Sequence, residues 1–406
     1  MKLCDATGRA LLFGWVLATA GSLATDRAGA ADWREWHGPN RDLISEEGGW
    51  KADGAKEVWR AEVGVGFSSV SVASGKVYTM GNVGGEDAVW CLDEKTGKVI
   101  WSHKYACEVG AHKGPRVTPT VDGDRVYTLS RRGDLFCLNA ADGKVVWDAD
   151  ITKLLKARQT KHNWGFACSP LVRGDHLILD VGPVAALDKK TGKKIWDTGS
   201  AEAGFSSPRL MKDGTKEYVL GFNAEGLLVV DASGGKKVDE YKWDTQYMVN
   251  SATPIPSGGK IFISSGYNRG CALLKLEGGK LKKVYENTEM RNHCNSSVLY
   301  KGHLYGFDGQ QGSRGALKCM EFETGEVKWQ SPPFKIGSLM IADGKIIAML
   351  DGGELMVAEA DPGAFKELSR KSVLSGQCWT YPVLANGRIF CRSNEGATLV
   401  CVSVGG

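Results

Sequence analysis

Seven side chains with the chemistry to hold a ligand are scattered along the chain: His112, Arg116, Trp164, Asn250, Arg291, His293 and Trp379. Imidazole, guanidinium, amide and indole groups gathered in one place would suit an anion, a planar cofactor or a peptide. His162, Phe166, Phe205, Met248 and Gln377 stand in the same stretches. A metal held by His112, His162 and His293 would need all three ring nitrogens within about 2.1 Å of one ion. No short ligand motif such as H-x-x-x-H brings them together, so no metal site is expected. No catalytic set is recognised either. The plainer alternative is that these groups fill a channel and hydrogen-bond one another.

What must position them is a repeat. CLDEKTGKVIW from Cys91 to Trp101 recurs as CLNAADGKVVW from Cys137, ALDKKTGKKIW from Ala186 and CMEFETGEVKW from Cys319. Weaker copies end at Trp243 and Tyr285, and another surrounds Gly363. Ahead of each copy stands a small residue or Pro, an apolar stretch, a Gly turn and a second apolar stretch. Examples are SVSVASGKVYTM from Ser69, TPTVDGDRVYTL from Thr118 and YPVLANGRIFC from Tyr381. These add up to eight units, each read as four strands, with a Thr-Gly hairpin turn because Gly takes a positive φ without a Cβ penalty.

A four-stranded sheet cannot bury both faces alone, so neighbouring sheets must stack, and radial closure is the propeller solution. The fold expected is all-β, an eight-bladed β-propeller. The last unit ends on ATLVCVSV without a Trp strand, whereas KEVWRAEV around Trp59 precedes the first unit without a partner. The N-terminal strand is therefore expected to complete the last blade and close the ring. In this order the loops that lead into each first apolar strand share one face, and they carry the candidate residues.

Residues 1–30 read as an export signal, with an apolar run from Ala10 to Ala20 and the small-x-small pattern Ala28-Gly29-Ala30. The run is shorter than the roughly 20 residues of a membrane-spanning helix, so no transmembrane segment is expected in the mature chain. Residues 31–54 form an N-terminal segment and residues 55–406 the propeller, in the periplasm or outside the cell. The formal charge of +4 falls to +3 once Lys2, Arg9, Arg27, Asp5 and Asp26 are removed. So mild an excess does not suit nucleic acid, which calls for a concentrated basic stripe.

Ala186, Asp188, Thr191, Gly192 and Trp196 match all of an A-x-D-x-x-T-G-x-x-x-W pattern. With these residues the chain resembles the pyrroloquinoline-quinone (PQQ)-repeat β-propellers. The opening Trp33 to Asp42, SSGYNRGCALLKL from Ser264 and LYGFDG from Leu304 resemble an exported, BamB-like bacterial subgroup. That resemblance implies a non-catalytic propeller of the cell envelope that binds a protein or a small ligand on one face. The rival is a quinoprotein dehydrogenase for alcohols or sugars holding PQQ and Ca²⁺, which resembles the repeat but has longer loops and often a Cys-Cys pair. A polysaccharide-binding module is a third reading, since Trp164 and Trp379 could stack on sugar rings.

Of the eleven cysteines, only Cys4 lies in the signal. Cys91, Cys137, Cys319 and Cys401 share one slot of the repeat, and stacked sheets lie about 10 Å apart, beyond the roughly 7 Å Cα limit of a disulfide. Cys391 and Cys401 are the one local pair to check. Alkylation of the unreduced, denatured chain followed by mass spectrometry is expected to find most of the remaining ten as free thiols. Eight or more in bridges would overturn the packing argument.

Overall fold

The computed structural model describes residues 31–405, so the export signal expected over residues 1–30 lies outside the described residues. Eight sheets follow one another along the chain and form an eight-bladed propeller. In blade 1 the strands run Ser71–Ala73, Lys76–Val83, Glu86–Asp93 and Val99–Ala106, from the channel outward, all antiparallel. Blade 8 takes three strands from the C-terminal end, Val383–Ala385, Arg388–Arg392 and Thr398–Ser403, and its outer strand, Lys56–Glu62, from the other end of the chain. The ring is closed as the unpaired Trp strand required.

Every outer strand carries a β-bulge at the same place, and the side chain there reaches toward the neighbouring blade. Trp59, Trp101, Trp147 and Trp329 donate their indole N–H to the carbonyls of Glu94, Ala140, Lys189 and Asp361, at 2.9, 3.1, 3.1 and 2.7 Å. Tyr285 donates its hydroxyl to Phe322 O at 3.1 Å. The receiving turns need glycine twice over. Gly97 and Gly143 lie at φ +69° and +73°, and a Cβ on either would come within 2.6 Å of the facing Trp ring.

The weak repeat copy ending at Trp243 is corrected by the register. In blade 4 the bulge position opposite Val229 is Asp239, whose carboxylate accepts from Leu281 N–H of blade 5 at 2.7 Å. Trp243 lies four residues further on, fully buried, with its Nε1 donating to Ser265 Oγ. In the Leu-Asp slot, Asp93 and Asp188 accept from the N–H and hydroxyl of Thr96 and Thr191, which caps the hairpin turns.

Small residues stand opposite the large rings: Cys91, Cys137, Cys319 and Cys401 pair across the strand with Trp101, Trp147, Trp329 and Trp59. All ten described cysteines are free, and every one but the partly buried Cys294 is buried. Cys391 faces Val400 rather than Cys401 across its strand pair.

Residues 31–50 cross the channel at the end opposite the blade-to-blade loops. Trp33 bridges to Val72 of blade 1, Arg34 O accepts from Val121 of blade 2, and Arg41 donates to Pro170 O before blade 3. Ile44–Ser45 then pairs in parallel with Ile341–Ala342 of blade 7, and Glu47 accepts from Gly387 N–H of blade 8.

Closure through the N-terminal strand makes Trp59 a stability determinant. Trp59→Ala should cost about 3–5 kcal/mol, whereas Ser369→Ala at the equivalent bulge of blade 7 should cost about 1 kcal/mol. Urea unfolding of both variants checks this. A Trp59→Ala protein as stable as its parent would contradict the closure.

Candidate functional site

The strand order puts two kinds of connection on one face: the loops between blades and the turns between second and third strands. Around the channel at that face they enclose a cavity of about 310 Å³. Five of the seven sequence-predicted residues line it: His112, Arg116, Trp164, His293 and Trp379. They come from the loops that follow blades 1, 2, 5 and 7, as their shared place in the repeat implies.

Asn250 and Arg291 do not line it, and each is held by other groups. Asn250 is fully buried and donates to Asn223 O and Trp243 O at 2.9 and 3.2 Å, while its Oδ1 accepts from Ser265. It fastens the loop backbone. Arg291 makes a two-pronged contact with Asp308 at 2.8 Å on each side and a third bond to Asn268. Its charge is paired with Asp308 away from the cavity lining, a carboxylate that Lys318 shares at 2.9 Å.

Of the remaining wall five residues are aromatic, and only Phe205 among them was singled out from sequence. Trp36, Phe67, Tyr267 and Tyr381 join Phe205, together with Cys294, Gln310 and Gln311. Trp36 belongs to the crossing segment, and its indole stands edge-on to Tyr381 at 5.1 Å. It forms part of the cavity wall. A signal for Phe67 was present, since Gly66-Phe67 repeats as Gly165-Phe166 and Gly204-Phe205. Phe67 and Phe205 line the cavity, but Phe166 is 1% exposed and packs in the core.

Aromatic contacts run around the mouth. Trp164 meets His112 at 5.3 Å, His162 at 5.0 Å and Phe205 at 6.0 Å. Tyr267 joins Tyr247 at 5.3 Å to His293 at 4.9 Å, and Phe67 meets Trp379 at 5.7 Å. His112, Tyr247 and Tyr267 hold positive φ values of 51°, 60° and 53°. Such conformations cost of order 1–3 kcal/mol and gather at binding sites.

Electrostatically the cavity holds one cation among neutral groups. Burial, then the neighbouring His112, lowers the His293 pKa to about 4. His112 is lowered too, by burial and by Arg116 and Arg131. Burial raises the Cys294 thiol to about 11. Near neutral pH Arg116 is therefore the charged side chain of the lining. No group of three His, Cys, Asp or Glu side chains suited to a metal occurs among the described residues, and His112, His162 and His293 do not converge as one.

Fold and site together define a propeller of PQQ-type repeats with an aromatic funnel at one end of its channel. The family model described as Outer membrane protein assembly factor BamB matches residues 85–331, more than half of the chain, and the chain belongs to that family. It is 21% identical over 310 residues to BamB of Yersinia pestis, covering 73% of this chain and 76% of the relative. With BamB of Escherichia coli K12 it shares 27% over 320 residues, covering 74% and 77%. Among solved structures, BamB from Moraxella catarrhalis superposes with a TM-score of 0.62 at 15% identity, over 86% of this chain and 97% of that one. The quinohemoprotein alcohol dehydrogenase from Comamonas testosteroni gives 0.68 at 13% identity, over 94% and 82%. These superpositions show the shared ring.

The lining does not fit PQQ with Ca²⁺. Calcium takes about 6–8 oxygen ligands, carboxylates prominent among them, and no Asp or Glu lines the cavity. Of the carboxylates near these loops, Glu289 is drawn to Lys318 at 3.7 Å, and neither it nor Glu202 belongs to the lining.

His293 gives the site a pH signature. Its folded pKa lies below the ordinary value of about 6.5, so between pH 6.5 and 4 the unfolded chain takes up a proton that the folded one refuses. Stability should therefore fall as pH drops through that window, by roughly 3 kcal/mol for this group. Unfolding of His293→Gln compared with the parent at pH 7 and pH 4.5 should show a smaller loss in the variant. Equal losses would contradict a neutral, buried imidazole.

Proposed function

We propose that this chain is a non-catalytic scaffold of the cell envelope, working in the periplasm, whose partner is a protein of outer-membrane assembly. What carries the reading is family membership together with the two BamB relatives, matched over about three quarters of both chains. The export signal over residues 1–30, with the mature chain starting near Ala31, belongs to the same proposal. No helix among the described residues is long and apolar enough to cross a membrane, in keeping with a ring that works beside one.

Within this reading the docking face is the one with the aromatic mouth. Tyr247 is 43% exposed there, and aromatic groups on a rigid frame are the usual anchors of protein interfaces. The opposite face carries the Thr-Gly turns, whose polar groups are occupied in capping. A small ligand at the mouth is the alternative occupant of the same face.

Site-specific photocrosslinking in cells distinguishes the faces. A crosslinker at Lys113 or Tyr247 should yield an adduct with an outer-membrane assembly protein, while one at Asp142 or Lys236 in the opposite turns should not. Adducts from the opposite turns alone would move the docking face. The absence of an outer-membrane defect on deleting the gene, together with no adduct from either face, would overturn the scaffold reading.

A further inference from the structure

The cavity contains donors that the protein itself leaves unused. Arg116 spends three of its five N–H groups on the carbonyls of Gly114, Ala111 and His112, at 3.2, 3.2 and 3.0 Å, and makes no ion pair among the described residues. Its guanidinium sits 5.8 Å from the Phe67 ring centre. Gln311 and Trp379 line the same cavity, but the Gln311 Nε2 and the Trp379 Nε1 are closed off from it as well as from protein partners, so Arg116 is the donor that the cavity presents. A cation without a carboxylate partner in an aromatic-walled cavity marks a place for an anion. The neighbouring walls, Trp164, Phe205 and Tyr267, are flat and apolar.

We propose that the funnel is a binding site for a small aromatic carboxylic acid, its carboxylate on Arg116 and its ring against Trp164 and Phe205. One cation calls for a monoanion. Either the unpaired Nε–H or the unpaired Nη1–H of the guanidinium can donate to a carboxylate oxygen. A dianionic phosphate would leave charge uncompensated in a cavity with no second cation in its lining. The volume of about 310 Å³ falls at the small end of ligand pockets, about 300–1,000 Å³, which suits a bicyclic acid. The lowered pKa of His293 agrees with this, since a neutral imidazole adds no second positive charge. The ligand would sit in the channel at the face proposed for docking, and because its binding is read on the isolated protein, either reading can fail without the other.

The probe is 2-naphthoate, followed by calorimetry and by the fluorescence of the tryptophans that line the cavity. The parent protein should bind it one-to-one and saturably, and the uncharged 2-naphthamide at least tenfold more weakly. Arg116→Gln should lose at least tenfold in affinity, and Arg116→Lys should keep part of it. Should Arg116→Gln fail to fold, Phe205→Ala, which removes a ring and leaves the cation, should weaken 2-naphthoate and 2-naphthamide alike, and a Phe205→Ala protein that binds both like the parent would overturn the proposal. Equal affinity for acid and amide, a folded Arg116→Gln that binds like the parent, or no saturable binding would overturn the proposal. So would tighter binding of PQQ with Ca²⁺ than of 2-naphthoate.

Discussion

The structure depends on one recurring contact, in which the side chain at each outer-strand bulge is received by the neighbouring blade. A single blade has two apolar faces and cannot be stable alone. The side chain next to the bulge stays paired across its strand and faces the neighbour, where a ring meets a glycine turn. The chemistry of the contact varies while its place does not: an indole in five blades, Tyr285 in blade 5, Asp239 in blade 4 and Ser369 in blade 7. Ser369 donates to Ala52 O, just ahead of the strand that completes blade 8, so the same position also helps to seat the closing segment.

Closure is reinforced from inside. Arg392 of blade 8, 1% exposed, donates to the carbonyls of Ser68 and Gly64 at 2.9 Å each and to Thr79 Oγ1 at 2.9 Å. It links the last blade to the first. Around the channel a belt of hydroxyls carries hydrogen bonds from blade to blade: Ser69 N–H to Thr118, Thr118 N–H to Ser169, Ser169 N–H to Ser207. Here the small residues that open each unit have a physical role, since only a short polar side chain can serve a neighbour's backbone N–H in so narrow a ring. With the inner strands held in this way, loops 100 residues apart in sequence have fixed separations, and strained residues such as His112 and Tyr267 can aim their rings.

The same ring underlies BamB and the quinohemoprotein dehydrogenase from Comamonas testosteroni, so the ring alone does not assign chemistry. The funnel lining of this chain holds one cation, neutral imidazoles and no carboxylate. Such a surface can grip an acceptor or an aromatic group, and its lining holds no carboxylate to ligate a divalent ion.

Fold class, blade number and the closing strand were legible in the sequence, because each rests on a local pattern repeated eight times and on one unpaired copy at either end. The face of the candidate residues was legible too, since position within the repeat dictates it. Which residues line the cavity was decided only in three dimensions. Asn250 and Arg291 occupy the right loops, yet a buried backbone carbonyl and the Asp308 carboxylate claim them first. Trp36 comes from a segment with no repeat, and it reaches the cavity only because residues 31–50 cross the channel. Trp243 looked like a repeat tryptophan, but it stands eight residues after Gly235, whereas the repeat ring stands four after its turn glycine, and Asp239 occupies that place. Local periodicity specifies backbone and blade, whereas a side chain's final partner is set by competition among groups distant in sequence, and that competition exists only once the ring has closed.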